Sequence, residues 1–220
     1  MTQLEIHNSA SFIADHCKLN SASILDVGCG NGQLSLELTN RGADVSAIEI
    51  NPELAKKARL KGKGIAVFNL DFLKFKTCEK YDVIIFSRSL HHIYQLETAV
   101  EKASSLMGKN GLLILEEFDF THVNEPTLKW YYEFMDEKPN DVVSTWEQEH
   151  VCTPPLNTGL QMYLALRRKF KIVHFERCPY LFRSLSSSNI HPEQILAIET
   201  ELINKGEILP VGMRVVASKI

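Results

Sequence analysis

The chain lacks most of what marks a secreted, membrane-spanning or metal-bound protein. Its five cysteines, Cys17, Cys29, Cys78, Cys152 and Cys178, are odd in number and widely spaced, with no CxxC pair. That pattern offers neither a disulfide framework nor a zinc site, and it fits a reducing compartment. No apolar run is long enough to span a bilayer. The opening MTQLEIHNSASFIADHCKL has no basic start followed by an apolar stretch, so no signal peptide is expected and the expected location is the cytoplasm. Neither sign of charge is in large excess: 24 Lys and Arg against 27 Asp and Glu leave −3. Such a chain has no general pull on phosphate backbones or anionic membranes. The one basic run, Arg167-Arg168-Lys169 with Lys171 close by, reads as a solvated helix end, where cations are favoured. Repeats and low-complexity tracts are absent too. What remains is an ordinary globular composition, 45% hydrophobic and 23% charged over 220 residues, enough for one domain with a sizeable core.

From Ser23 onward, short apolar β-rich runs alternate with helical patterns. Strands are expected over 24–27, 44–50, 65–69, 82–87 and 112–118, with helices at 33–39, 52–61 and 96–106. Asn51 is placed as an N-cap with Pro52 in the first turn, and Leu96, Val100, Ala103 and Leu106 recur at helical spacing. GKNG after that helix reads as a turn. Near-continuous apolar strands alternating with helices argue for a parallel sheet covered on both faces. After Phe118 the rhythm breaks. A helix rich in aromatics is expected over 126–137, an irregular polar stretch over 138–155, and an amphipathic helix over 156–170. Strands at 172–176 and 213–218 close the chain around a helix at 192–205. The expected organisation is one domain over 1–220, with an N-terminal helical segment at 1–20 and a helical lid or insertion at 120–170.

The stretch SILDVGCGNGQ, residues 23–33, runs from an expected strand into Gly28, Gly30 and Gly32 and then into a helix. Strand, glycine loop and helix together bring backbone close to a ligand in dinucleotide-binding proteins, where the spacing is GxGxxG. Here position 33 is Gln, and Asp26 stands two places before the first glycine. An acidic group beside the loop repels a pyrophosphate and suits a ligand carrying an ammonium group. Glu49 ends the second strand about 20 residues after Gly28, where a carboxylate can accept both ribose hydroxyls. Asp71 follows the third strand, placed to accept from an adenine amino group, with Phe72 beside it to cover a ring face. The ordinary alternatives are a tight turn for the glycines, a solvated strand end for Glu49 and a helix cap for Asp71. Their joint occurrence after three successive strands is what points to a ligand at the carboxyl edge of the sheet.

ILDVGCGNG, the acidic end of VSAIEI, the Asp of NLDF and YDVIIFSRSLHHI together resemble a class I S-adenosylmethionine-dependent methyltransferase of the small-molecule, methyltransferase-11-like type. The resemblance covers about the first 120 residues, and PYLFRSL and GMRVVASK also look like the ends of such enzymes. It implies a doubly wound, Rossmann-like α/β fold with a seven-stranded sheet, mostly parallel with the last strand antiparallel. It implies S-adenosylmethionine as methyl donor and S-adenosylhomocysteine as product, with no metal. By resemblance, Gly28, Cys29 and Gly30 lie against the methionine part and Asp26 holds its amino group. Glu49 takes the ribose, Ile50 packs on the adenine, Asp71 and Phe72 meet the adenine edge, and Ser87 adds contacts after the fourth strand.

The acceptor side offers less. His91 and His92 follow the fourth strand and are the acid/base candidates, since imidazole shuttles protons near neutral pH; either one can instead cap or pack. Glu116 and Glu117 are adjacent strand residues and so face opposite ways, with Glu117 the candidate for the site. Trp146 and His150, in the insertion, are candidates for lining the acceptor pocket, His150 also as a catalytic residue, with Trp146 otherwise simply anchoring a lid. Tyr180 and Arg183 are candidates to reach the same pocket, Arg183 otherwise pairing with an internal carboxylate. WEQEH has no second histidine at metal spacing. Ser87-Arg88-Ser89-Leu90 stands where many base and glutamine N-methyltransferases carry Asn/Asp-Pro-Pro-Tyr/Phe. The expected activity is therefore methyl transfer to a small-molecule acceptor, with no membrane partner and nucleic acid disfavoured. Action on RNA or protein, and a non-catalytic cofactor-binding module using the aromatic segment 130–134, stand as alternatives. A nicotinamide-dependent oxidoreductase comes third, disfavoured by Gln33 and Asp26. Oligomeric state is not legible.

Overall fold

A computed structural model describes residues 2–61, 64–135, 138–185 and 191–220. The strands are β1 (Ser23–Val27), β2 (Asp44–Glu49), β3 (Ala66–Asn69), β4 (Tyr81–Ser87), β5 (Met107–Phe118), β6 (Phe170–Cys178) and β7 (Gly212–Lys219). The helices are α1 (Gln3–His16), α2 (Gln33–Asn40), α3 (Pro52–Lys61), α4 (Leu96–Leu106), α5 (Glu125–Tyr132), α6 (Val142–Glu149), α7 (Gly159–Lys169) and α8 (Pro192–Asn204). The seven strands form one sheet in the order β3-β2-β1-β4-β5-β7-β6. The pairs among β1 to β5 are parallel, and β7 runs antiparallel between β5 and β6. This is the doubly wound, seven-stranded arrangement expected from the sequence. The order reverses at β1, where the chain crosses from the β1-β2-β3 half to β4, and ligands bind at such a switch point beyond the strands' carboxyl ends.

Alternation along the central strands fills two layers. Leu25, Val27, Ile84, Phe86, Leu113 and Leu115 pack on one face with Val100 and Ala103 of α4 and Met162 and Leu166 of α7. Ile24, Val83, Ile85 and Ile114 pack on the other face with Phe12 and Ile13 of α1 and Leu34 and Leu38 of α2. A third cluster joins α5, α6 and α8 to residues 180–185 through Leu128, Tyr131, Trp146, Leu181 and Ile195. Glu199 of α8, fully buried, holds that segment by accepting the backbone N–H groups of Tyr180 (2.7 Å), Leu181 (3.0 Å) and Phe182 (2.9 Å).

Several boundaries differ from the sequence reading. The stretch read as irregular over 138–155 contains α6, started by the Asp141 carboxylate accepting from the N–H groups of Val143 (3.1 Å) and Ser144 (3.0 Å). A single buried residue, Trp146, ties this short helix down, so its pattern carries no helical period. GKNG lies within the span of β5 and bulges out of the ladder: pairing passes from Tyr81 with Met107 directly to Val83 with Leu112. The helix expected over 126–137 ends at Tyr132, and residues 136–137 lie outside those described. The helix expected from 156 starts at Gly159, where Thr158 and Gln161 form a capping box. Among the described residues no helix is long and apolar enough to cross a membrane.

Candidate active site

The glycine loop is pinned to the end of β2. The N–H groups of Gly28 and Cys29 both donate to the Ile48 carbonyl, at 2.8 and 3.0 Å. Gly28 has φ +79°, and a Cβ there would sit 2.4 Å from the Cβ of Ser89. Gly30 also has a left-handed backbone, φ +57°, but the space its Cβ would take is open. One glycine therefore lets β1 and the end of β4 approach, and the other leaves room above the loop.

Three carboxylates stand at the carboxyl ends of β1, β2 and β3, Asp26 and Glu49 within their strands and Asp71 two residues past β3, each fixed differently. Glu49 is buried and bridges the loop to α3, one oxygen accepting the Gly30 N–H and the other the Asn51 N–H, both at 2.8 Å. Asn69 donates to the carbonyls of Glu49 (2.8 Å) and Ile50 (3.0 Å), while the Ile50 side chain stays 67% exposed. Asp71 accepts the Leu73 N–H at 2.8 Å and caps the turn Phe72–Lys74. The Phe72 ring is buried edge-on against Phe86, centroids 5.6 Å apart. Asp26 is 1% exposed and accepts from the Ser35 hydroxyl at 2.5 Å. Burial pushes its carboxyl up to about 6; the Ser35 hydrogen bond opposes this and the Glu49 charge adds to it.

These groups line one cleft. A lobe of about 650 Å³ runs past Gly28, Gly30, Glu49, Ile50, Asp71 and Phe72 to Arg88, Ser89 and His92. A second lobe of about 430 Å³ shares Gly28, Gly30, Arg88 and His92 with it and adds Asp26, Cys29, Ser87, His91 and Tyr180. The Ser87 hydroxyl oxygen is buried there without a hydrogen-bond partner among the described residues. Burial raises the Cys29 thiol, with Asp26 and Glu49 adding to it, so Cys29 stays a neutral thiol.

At the acceptor end, Glu117 is fully buried. One of its oxygens accepts the backbone N–H groups of Ser89 (2.8 Å) and Leu90 (2.7 Å), and the other meets His91 Nδ1 at 2.6 Å. Glu116 points the other way, into a buried network with Ser9, Arg183 and Arg214. Burial raises its carboxyl, but Arg183 and Arg214 outweigh that and hold it below the usual range. Arg183 thus pairs with Glu116 and does not line the cleft. Trp146 is buried too, its indole N–H donating to the Phe120 carbonyl at 2.9 Å. His150 stacks on Phe120 at 5.4 Å and holds the Trp146 carbonyl at 2.7 Å through Nδ1. Neither Trp146 nor His150 lines the cleft, whereas Tyr180 does and stacks on Phe118 at 5.0 Å.

Two further residues complete the cleft without a sequence signal. Arg88 has φ +55°, rare for a residue with a side chain. Its N–H donates to the Glu116 carbonyl (2.8 Å) and its guanidinium to Glu5 of α1 (3.1 Å). Asn157, far along the chain, donates to the carbonyls of Leu90 (3.2 Å) and Ile93 (2.9 Å) and so holds the His91-His92 turn. Among the described residues no group of three His, Cys, Asp or Glu is placed to hold a metal ion.

Comparison with known proteins agrees with this geometry. Residues 7–156 match a family described as a methyltransferase domain. A ubiquinone biosynthesis O-methyltransferase of Xylella fastidiosa (strain M23) is 34% identical over 116 residues, which are 50% of this chain and 47% of that protein. A counterpart from Xanthomonas euvesicatoria is 30% identical over 116 residues, 50% of this chain and 48% of that one. The chain thus spans about half the length of the curated relatives it matches. An S-adenosylmethionine-dependent methyltransferase from Mesorhizobium loti superposes with TM-score 0.68 at 18% identity, covering 97% of this chain and 100% of that one. The N-methyltransferase NodS from Bradyrhizobium japonicum, solved with S-adenosylhomocysteine, gives TM-score 0.60 at 12% identity over 97% and 86% of the two chains. At those identities the structural likeness establishes the fold alone. The family match over most of the chain goes further, and the chain belongs to the methyltransferase-domain family, with the class I fold that its glycine loop and strand-end carboxylates anticipate.

Proposed function

We propose that this protein binds S-adenosylmethionine and transfers its methyl group to a small-molecule acceptor by in-line displacement. The observation that carries the reading is the alignment of Asp26, Glu49 and Asp71 along one cleft beside a glycine with open space above it. Glu49 holds the ribose hydroxyls on lone pairs left by its two backbone donors, and Ile50 and the Asp71 turn flank the adenine. Asp26 faces the amino group of the methionine part, and the unpartnered Ser87 hydroxyl supplies a further polar contact. The methyl group, already activated on a sulfonium, needs an aligned acceptor and exclusion of water, and such positioning contributes on the order of 7–11 kcal/mol. In this reading the 120–170 segment walls the acceptor side. Support comes from Tyr180, which lines the cleft and stacks on Phe118, with Phe118 in turn 5.9 Å from the Trp146 ring of α6. The curated relatives named for ubiquinone biosynthesis support a small acceptor over a macromolecule.

The test is isothermal titration of the purified chain with S-adenosylhomocysteine, with NADH as control. Micromolar binding of the first and none of the second is expected. Tight NADH binding with no S-adenosylhomocysteine binding overturns the assignment.

A further inference from the structure

We propose that the acceptor is a hydroxyl compound, and that His91, oriented by Glu117, removes its proton as the methyl group arrives. The inference deepens the methyl-transfer reading and rests on it. The His91 and Glu117 side chains are 9% and 0% exposed and meet at 2.6 Å. Backbone N–H groups can only donate, so the Glu117 oxygen that faces Ser89 and Leu90 is an acceptor twice over. The proton of the remaining contact belongs to the imidazole, and Nδ1–H donates to Glu117. That tautomer leaves Nε2 as the basic nitrogen. His91 lines the lobe that holds Asp26, Ser87 and Tyr180, and Nε2 has no hydrogen-bond partner among the described residues. Asn157 fixes the same turn from behind, its N–H donating to the His91 carbonyl at 2.9 Å. A nitrogen base held by a buried carboxylate and a clamped backbone is the geometry of general-base catalysis.

His92 is the competing candidate. Its ring centroid lies 4.0 Å from that of His91, but no carboxylate orients it at hydrogen-bond distance among the described residues. Burial depresses its protonation, the neighbouring His91 adds to this, and Glu117 opposes it. The remaining charged or titratable groups facing this lobe are Arg88, Asp26, Cys29 and Tyr180.

A base of this kind selects among acceptors. A neutral amine attacks through its own lone pair, and a thiol, with pKa about 8.5, is already partly ionised near neutral pH. A hydroxyl, about 10 even for a phenol, is the class that gains most from a base, on the order of 10²–10⁴-fold. In the step, the acceptor O–H bond breaks and its proton passes to Nε2 of His91. The oxygen forms the new bond to the methyl carbon while the carbon–sulfur bond breaks, its electron pair staying on sulfur. The positive charge lost at the sulfonium reappears on the imidazolium, against Glu117.

Long-range ¹H–¹⁵N spectra of the unliganded protein test the dyad without turnover. His91 is expected as the Nδ1–H tautomer. In Glu117→Gln one amide oxygen keeps the Ser89 and Leu90 bonds while the NH₂ donates to Nδ1, so His91 switches to the Nε2–H tautomer. An unchanged tautomer in Glu117→Gln, or Nε2–H in the wild type, overturns the proposal. Incubation with CD₃-labelled S-adenosylmethionine and a metabolite extract, read by mass spectrometry, tests the acceptor class. A CD₃–O product is expected, formed about 10²–10⁴-fold more slowly by His91→Gln and Glu117→Gln. A CD₃–N or CD₃–S product, or no labelled product from protein that still binds S-adenosylhomocysteine, overturns it. Failure of the wild type to bind S-adenosylhomocysteine instead brings down the underlying reading of the site.

Discussion

Asp26 gives the sharpest prediction because its burial and its role pull in opposite directions. At 1% exposure, with one hydroxyl donor, its carboxyl is pushed up to about 6 in the unliganded protein. An ammonium group beside it favours the charged form, so binding of S-adenosylhomocysteine releases the proton that Asp26 holds below that midpoint. With the bound-state midpoint back near the ordinary carboxylate value, affinity falls about tenfold between pH 7.5 and pH 5, or ~1.4 kcal/mol. Titration calorimetry at pH 6 in phosphate and in bis-Tris should then show release of about half a proton. Asp26→Asn, which preserves the Ser35 hydrogen bond, loses about 1.5–3 kcal/mol of affinity at pH 7.5, the range for hydrogen bonds to charged groups. The same variant loses most of the pH slope. The sign for stability is the reverse of the usual carboxylate case. The folded midpoint lies above the ordinary carboxyl value, so the native state binds more protons and the Asp26 contribution fades as pH rises toward 6. Relative to wild type, Asp26→Asn should therefore gain about 2.4 kcal/mol between pH 4 and pH 7 in urea unfolding. A wild-type affinity flat from pH 7.5 to pH 5, or an equal slope in Asp26→Asn, refutes the reasoning.

Other perturbations separate structural from ligand-facing groups. Gly28→Ala drives a Cβ into Ser89 at a left-handed position, and is expected to cost about 2–4 kcal/mol in urea unfolding. Gly30→Ala meets open space, so it should cost only about 1 kcal/mol of stability while weakening S-adenosylhomocysteine binding at least tenfold in calorimetry. Glu116→Gln leaves Arg183 and Arg214 without their buried carboxylate and should lose about 3–5 kcal/mol of stability, with the affinity of the folded fraction unchanged. Because the Glu116 carboxyl is held below its usual range, the wild-type contribution is present above the unfolded carboxyl value. It is lost as pH falls through the lowered folded value, which an acid titration of wild type against Glu116→Gln would show.

What the sequence determined by itself is the part of the protein with short-range rules. Near-continuous apolar runs alternating with helical patterns mark a parallel sheet covered on both faces, glycines mark where backbone must pass or stay open, and acidic residues at successive strand ends mark one sheet edge. Hence β1 to β5, the doubly wound fold and the positions of Asp26, Glu49 and Asp71 were legible. The tertiary structure decided the rest, because those residues depend on partners distant in the chain. Whether His91 or His92 is oriented rests on Glu117, 26 residues from His91, and on Asn157, 64 residues from Ile93. Arg183 is turned away from the cleft by Glu116, 67 residues before it, and Trp146 is drawn under the insertion by a carbonyl 26 residues away. The helix α6 exists because that one tryptophan finds a core. Local pattern carries no information about such pairings, since the free energy that selects them appears only when the layers close and each buried polar group must find a partner.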